Sequence, residues 1–167
     1  DVVLDGIAQM QARGYTNIQH GMSWGWKSLS NREPLSEGRP KNAEGNRKVM
    51  IVMTDGNNTY QTASGIDYRA DNGKVHANDN VSFYGAHGHQ RNGRIFDGFD
   101  AIANPNHDWN THTKAMDEHM AETCVNVKAD GITVYSIAFD VDNGSSVKAL
   151  LETCASPNQN GEQLYYD

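Results

Sequence analysis

The sequence predicts an α/β fold, with a parallel sheet whose strands are joined by helical crossovers. Two largely apolar runs, Val49–Met53 and Ile132–Phe139, have the length and composition of buried strands. Segments with helical apolar spacing precede, separate and follow these runs, as in a parallel sheet with crossover helices. The first run ends in Thr-Asp-Gly, which places Asp55 at the carboxyl end of a strand, where ligands bind in open α/β sheets.

Two helices are predicted before the first strand. Apolar residues along Val3–Ala12 form one side of a short helix, and the Arg-Gly pair that follows is a typical helix end. A second helix is predicted to end near residue 29, with either Thr16 or Asn17 as its N-cap. The segment 30–46 is polar, contains two prolines and is predicted to be a loop.

The segment 57–110 is the least regular part of the chain. It holds nine Asn and four of the seven His with little periodicity, so we interpret it as a polar, Asn- and His-rich insertion in a single domain, 1–167. Regular patterns return after it. The remaining predicted elements are a helix at 110–129, a strand at 132–139, a helix capped by Ser145 or Ser146, and a strand at 163–166.

Length and charge exclude several classes of protein. With 167 residues, 37% apolar and 21% charged, the chain has the size and composition of one globular domain. A net charge of −7 without any basic run argues against sequence-independent nucleic-acid binding. The sequence starts at Asp1 without an initiator Met or signal peptide, so we expect a piece of a longer protein. A membrane anchor or export signal is then expected in the missing N-terminal part.

The His-rich insertion offers an enzymatic alternative. His87 and His89, with His76, His107 and Asp108 in the same segment, supply imidazoles and a carboxylate of the kind that a zinc hydrolase uses. Their spacing matches no helical zinc motif, so hydrogen-bonded or solvated loop histidines are the competing interpretation. The acidic stretch Asp140–Gly144 hints at a calcium loop, but it lacks the later Glu and is predicted to be a turn.

A set of residues spread in order along nearly the whole chain resembles a known family. The set is Gly14–Ile18, Gly21–Trp26, Leu29-Ser30, Val49–Gly56, Asn58-Thr59, Cys124–Lys128, Gly131–Phe139, Leu151, Cys154–Ser156 and Tyr165-Tyr166. It resembles von Willebrand factor A-type (vWA) domains, and it looks most like those of the TadG type of tight-adherence (Flp) pilus-assembly proteins. The insertion matches this family only loosely.

The resemblance implies a parallel, Rossmann-like three-layer fold with a metal-ion-dependent adhesion site at its upper edge. Three loops build such a site: an Asp-x-Ser-x-Ser loop, a Thr loop matched here by Thr16, and an Asp loop matched by Asp55. The first of these is absent from the sequence, so the resemblance implies a fold truncated at its N-terminal side. Because Mg²⁺ prefers six oxygen ligands, we expect weak or no binding of Mg²⁺ or another divalent cation in this piece.

Both matched residues have a simpler structural interpretation. Thr16 is an N-cap residue type that satisfies an otherwise unpaired helix amide. Asp55 precedes Gly56 and is typical of a turn after a strand. These roles stay open beside the ligand roles that the resemblance implies.

Cys124 and Cys154 fall on the apolar faces of the two predicted helices that flank the second long strand. Two unlinked, buried thiols are the simplest interpretation of that placement. In the resembled family the counterparts are expected to be paired, because the domain is exported to an oxidising compartment. Closing a loop of about 30 residues would stabilise the fold by about 3–4 kcal/mol.

The resemblance implies a non-enzymatic protein-binding and assembly domain of a bacterial cell-envelope pilus-assembly protein. Its partner is expected to be another protein, and the domain is expected on the periplasmic or extracellular side of an inner-membrane anchor. The alternatives are a metal-dependent hydrolase that uses the insertion and a structural domain with a vestigial metal site. Without the strands that the resemblance places before it, Val49–Met53 lies at an open sheet edge, so we also expect homodimers or aggregates.

Overall fold

The structure, a computed structural model, describes residues 1–11, 15–59, 86–88, 94–96 and 109–167. Within these ranges the chain is a mixed α/β protein with a parallel sheet, which confirms the predicted class at that level. The elements in chain order are α1 (Val2–Ala8), α2 (Ile18–Leu29), β1 (Val49–Thr54), a 3-10 turn (Arg94–Phe96), α3 (Trp109–Ala129), β2 (Thr133–Ala138), α4 (Ser146–Cys154) and β3 (Tyr165–Tyr166).

The sheet has the strand order β1-β2-β3, and both neighbouring pairs are parallel. β1 and β2 are in register from Val49 opposite Thr133 to Thr54 opposite Ala138. β3 is shorter than predicted, because Gln163 forms an isolated antiparallel bridge and parallel pairing starts only at Tyr165. The carboxyl ends of β1 and β2 therefore lie at one edge of the sheet, which we call the carboxyl edge.

The hydrophobic core lies between the sheet and helices α2, α3 and α4. We call this side of the sheet the covered face. Burial alternates strictly along β1: its even-numbered residues are buried, and Met50 and Val52 belong to the core. Aliphatic side chains from all three helices complete it, as expected for amphipathic helices on a sheet. The core cluster includes Ile18, Met22, Met50, Val52, Met120, Val127, Ile132, Val134, Ala138, Val147 and Leu151.

The opposite side of the sheet, which we call the open face, is not covered to the same extent. Val49 is 45% exposed, and Ile51 and Met53 are each 67% exposed. The prediction of β1 as a strand is confirmed, but only one of its faces is buried. The physical reason is that, among the described residues, the helices that form the core all pack on the covered face; the outer edge of β1 also has no described partner.

The helix ends follow their capping residues. α1 ends at Ala8, four residues before the predicted end, because it has no buried residue to extend it by packing. The predicted Arg-Gly stop lies outside the described residues. Asn17 caps α2 by accepting a hydrogen bond from the backbone N–H of His20 at 2.9 Å, and Ser145 caps α4. Thr16 is thus not the cap of α2.

A disulfide joins α3 to α4. Cys124 and Cys154 have an S–S distance of 2.01 Å and a Cα–Cα distance of 5.2 Å. Both residues are buried in the core on the covered face. The two helices that flank β2 are therefore linked covalently as well as by packing. None of the helices that the structure describes combines the length and the hydropathy needed to cross a membrane.

Candidate functional site

The loop after β1 shapes the carboxyl edge. The Thr54 hydroxyl donates a hydrogen bond to the Gly56 carbonyl at 2.8 Å and accepts one from the Gly56 N–H at 3.3 Å. Thr54 therefore supplies the side-chain bonds of this turn, a role that the sequence left open for Asp55. The Asp55 side chain is exposed at the edge.

This loop is fastened to the start of α2. The Thr59 N–H donates to the Thr16 carbonyl at 2.9 Å, and the Thr16 N–H donates to the Thr59 hydroxyl at 2.8 Å. The Asn58 amide oxygen accepts a further hydrogen bond from the Ile18 N–H at 2.8 Å, which satisfies an amide of the first helical turn. The two segments that carry Thr16 and Asp55 are thereby held together.

Asn58 also connects the loop to α3. Its amide nitrogen donates to the Asp117 carboxylate at 2.7 Å, and the Asn58 side chain is 2% exposed. Burial raises the pKa of Asp117, and the hydrogen bond from Asn58 opposes that rise. The neighbouring Asn57 accepts a hydrogen bond from the hydroxyl of Ser145, the cap of α4. Three consecutive loop residues, 57–59, thus contact the starts of α2 and α4 and the side of α3.

The sequence did not identify this connecting role. Asn58-Thr59 carried part of the family resemblance, but no spacing in the chain shows that Asn58 faces Asp117, which is 59 residues away. A buried asparagine with both ends of its amide satisfied is only visible after folding. The predicted insertion, 57–110, therefore begins with three residues that belong to the edge of the sheet.

Thr16 and Asp55 supply the two side-chain oxygen groups expected at this edge. Because Asn17 caps α2, the Thr16 hydroxyl is not used for capping. Within the described part of the chain, neither this hydroxyl nor the Asp55 carboxylate has a hydrogen-bond partner. The structure thus places both groups on loops that Thr59 joins, with both side chains uncommitted.

These two groups fit a hard cation by type but not by number. Hydroxyl and carboxylate oxygens are ligands that Mg²⁺ accepts, yet two of them fill only a minority of an octahedral shell. No group of three or more His, Cys, Asp or Glu side chains with metal-binding geometry occurs in the ranges that the structure describes. The described residues therefore supply at most part of the ligands of a metal site.

Asp140 is a further carboxylate at the same edge. It follows β2 closely, and the N–H of Phe139 extends the β1–β2 ladder by donating to the Thr54 carbonyl at 2.9 Å. The φ of Asp140 is 55°, the left-handed region that residues other than glycine rarely occupy. The predicted turn into α4 is present, but this backbone conformation was not predicted, and such conformations are concentrated at functional sites.

A groove runs from the carboxyl edge along the outer side of β1. Its volume is about 330 Å³. One wall is the backbone and side chains of β1, and the other is the face of α2 that carries two glycines. The groove is lined by Thr16, Asn17, Ile18, Gly21, Met22, Gly25 and the residues from Met50 to Thr54. The uncommitted Thr16 thus stands at its upper end.

The alternative histidine site is only partly within the described residues. His87 is half-buried and stacks on His119 with ring centroids 5.5 Å apart, and the Nε2 of His119 lies 2.7 Å from the Ile95 carbonyl. Burial lowers the pKa of His87, and the electrostatic influence of the His119 and His20 side chains lowers it further. His89 and the other histidines of the insertion lie outside the described residues, so the predicted pair of His87 and His89 stays a prediction.

Comparison of the chain with protein-family models, with curated proteins and with solved structures found no match. The fold that is established is therefore an α/β fold with a small parallel sheet. The vWA-type resemblance rests on the residues quoted above. The geometry of the carboxyl edge is therefore the only structural evidence on which a function can be proposed from the described residues.

Proposed function

We propose that the chain is part of a vWA-type protein-binding and assembly domain, from a cell-envelope pilus-assembly protein of the tight-adherence type. One observation carries the proposal. Thr16 and Asp55, which match the Thr loop and the Asp loop, lie on two loops that hydrogen bonds join at the carboxyl edge. Their oxygen groups have no hydrogen-bond partner in the described part of the chain, so a cation could bind them without breaking a contact described there.

The proposed mechanism is cation-dependent protein binding. Thr16 and Asp55 contribute two oxygen ligands, and the loop missing from this sequence contributes others in the full-length protein. An acidic side chain of the partner then completes the shell, because a divalent cation between carboxylates offsets their repulsion. The partner is accordingly a protein of the pilus-assembly or adhesion machinery, met on the outer side of an anchored inner-membrane protein.

The described residues support binding more than catalysis. Both cysteines are committed to the disulfide, so neither supplies a thiolate. The half-buried carboxylate of Asp117 is committed to Asn58 rather than to a nucleophile.

Calorimetric titration of the full-length protein with Mg²⁺ and Mn²⁺ tests the proposal. We expect one site, abolished by Asp55→Ala and weakened by Thr16→Val, with Thr16→Ser retaining affinity because it keeps the hydroxyl. Asp5→Ala, an exposed carboxylate on α1, is the matched control and should change nothing.

Two results would contradict this proposal in favour of a specific alternative. The absence of any Mg²⁺ or Mn²⁺ binding by the full-length protein would indicate a structural domain with a vestigial site. Tight Zn²⁺ binding that is lost in His87→Ala and His89→Ala variants would instead indicate the metal-dependent hydrolase.

A further inference from the structure

Asn58 connects two helices through one buried side chain. Its Oδ1 accepts a hydrogen bond from the Ile18 N–H, in the first turn of α2, at 2.8 Å. Its Nδ2 donates to the Asp117 carboxylate on α3 at 2.7 Å, and the residue is 2% exposed. The amide orientation is therefore fixed, because turning it over would place the nitrogen against an N–H and the oxygen against a carboxylate.

This anchor lies beside the residues that the proposed function assigns to the carboxyl edge. Asp55 precedes Asn58 in the same loop, and Thr59 follows it directly. Thr59 holds Thr16 by two hydrogen bonds, from the Thr16 N–H to its hydroxyl at 2.8 Å and from its own N–H to the Thr16 carbonyl at 2.9 Å. Fixing Asn58 therefore constrains the loop of Asp55 and the loop of Thr16 at the same time.

A carboxylate at position 117 is not what stability alone requires. Asp117 is half-buried, and in the part of the chain that the structure describes it forms no ion pair and accepts its hydrogen bond from Asn58. An asparagine would accept the same hydrogen bond without a desolvated charge. The ionised carboxylate only accepts, so it forces the nitrogen of the Asn58 amide toward α3 and the oxygen toward α2. This favours a role in setting geometry.

We propose that Asn58 and Asp117 are positioning residues of the carboxyl edge, which set the place of the Thr16 loop relative to the Asp55 loop and thereby the affinity and selectivity of the edge for cations. The inference rests on the proposed function, since the placement of the loops affects binding only if a cation binds there. Asn58 is buried and acts through its neighbours, not as a ligand. Residues that orient metal ligands in this way typically matter almost as much as the ligands.

The selectivity of the edge is the property that a fixed geometry affects most. Mg²⁺ needs near-octahedral oxygen ligands at about 2.0–2.1 Å, whereas Ca²⁺ accepts about six to eight oxygens at about 2.3–2.6 Å in variable geometry. Loosening the loops therefore weakens the binding of Mg²⁺ more than that of Ca²⁺. The ratio of the two affinities separates positioning from a general loss of stability, which would lower both affinities together.

Exchanging the two side chains provides a disruption and its rescue at almost constant volume. In Asn58→Asp, the new carboxylate still accepts from the Ile18 N–H but faces the carboxyl group of Asp117, so their repulsion should displace the loop. In the double variant Asn58→Asp/Asp117→Asn, the amide at position 117 donates to the carboxylate at position 58, and the contact is restored in reverse. Asp117→Ala, which only removes the acceptor, is a second disruption.

Hydrogen exchange of the full-length protein without any cation, followed by mass spectrometry, tests the positioning itself. Both disruptions should raise the exchange rate of peptides that contain the Thr16 and Ile18 N–H groups by about tenfold, because each loses the support of a hydrogen bond. The double variant should return that rate to the native value. Peptides from β2, which lies in the interior of the sheet, report global unfolding and should exchange as in the native protein.

Calorimetric titration of the same proteins with Mg²⁺ and Ca²⁺ tests the consequence for binding. Asn58→Asp and Asp117→Ala should weaken Mg²⁺ binding about tenfold or more and Ca²⁺ binding less, and the double variant should restore the native ratio. Trp26→Phe is the matched control. It removes another side-chain hydrogen bond that links α2 to the region of α3, from Trp26 to Asp130 at 3.0 Å, and should leave the ratio unchanged.

The two measurements separate this inference from the proposed function. A native protein that binds neither cation would overturn the proposed function and the part of this inference that concerns affinity, while the exchange rates would still decide whether the pair positions the loops. Native exchange at Thr16 and Ile18 in both disrupted variants would overturn the positioning. So would an unchanged ratio of affinities in those variants, or a double variant as defective as Asn58→Asp.

Discussion

The two faces of the sheet differ in how their side chains are packed. On the covered face, helices α2, α3 and α4 bury the even-numbered side chains of β1, and a disulfide ties two of these helices together. On the open face, the odd-numbered side chains of the same strand are exposed. Parallel sheets are normally buried on both faces. The difference shows that, among the described residues, the packing that stabilises the sheet lies on one of its faces.

The largest expected effect concerns the link across the covered face. Removing the disulfide with the double change Cys124→Ala and Cys154→Ala should lower the free energy of unfolding by about 3–4 kcal/mol, because the loop between them no longer constrains the unfolded chain. Urea unfolding of the variant, and of the native chain with and without reductant, measures this loss. If reductant leaves the urea midpoint unchanged, the covered face does not depend on the link.

The same substitution on opposite faces of β1 tests the comparison directly. Val52→Ala removes core contacts on the covered face and should cost about 1.5–2.5 kcal/mol. Val49→Ala, three residues earlier on the open face, should cost about 0.5 kcal/mol or less at concentrations where the chain is monomeric. Chemical denaturation measures both. Equal costs for the two variants would contradict the assignment of faces.

A second pair of variants tests how the carboxyl edge is joined to the covered face through α3. Asp117→Ala leaves the buried amide of Asn58 without its acceptor and should destabilise the fold by about 1–2 kcal/mol. Asp117→Asn keeps an acceptor oxygen and removes a desolvated charge, so its stability should equal or exceed that of the native chain at neutral pH. Denaturation curves of the two variants show whether Asp117 matters as a hydrogen-bond acceptor or as a charge.

The direction in which Asp117 makes stability depend on pH follows from its raised pKa. The folded carboxyl group keeps its proton at pH values where the unfolded one, with a pKa of 3.8, is already ionised. The favourable contribution of Asp117 to the stability of the folded chain is therefore lost as the pH rises through the folded pKa. The native chain should gain stability relative to Asp117→Asn on acidification, and a parallel pH dependence of the two proteins would speak against this.

The smallest expected effect is a loss of folding stability at acidic pH that depends on His87. The pKa of His87 is lowered from its ordinary value of 6.5, so the unfolded chain binds a proton before the folded chain does. The contribution to stability is complete above pH 6.5 and is lost as the pH falls from 6.5 through the folded pKa. Native protein and His87→Gln, compared by thermal unfolding at pH 8 and at pH 5, should differ more at pH 8.

The sequence predicts those features of the structure that depend on residues close together in the chain, and it predicts poorly those that depend on distant residues. The caps of α2 and α4 and the alternating faces of β1 depend on nearby residues, and periodicity and cap residues located these elements to within a few positions. α1 was predicted too long because its apolar residues find no surface to pack on. The disulfide stayed open at the level of sequence, since spacing alone does not distinguish paired from unpaired thiols.

For the carboxyl edge, individual residues were predictable from the sequence, but the contacts between them were not. Thr16 and Asp55 were identified, because strand ends and family resemblance are readable along the chain. Their linkage through Thr59, and the contact between Asn58 and Asp117, join residues more than 40 positions apart. The left-handed conformation of Asp140 likewise arises from the folded environment. Such features depend on tertiary structure and leave no periodic trace in the sequence.

The loop at residues 57–59 has a mechanical consequence. It begins two residues after Asp55, and its hydrogen bonds run to α2, α3 and α4. A load applied at Asp55 is therefore carried by β1 and, through this loop, by three helices, two of which the disulfide joins. Tension at this edge is shared by several bonds in parallel, so the edge resists load better than any one of its contacts.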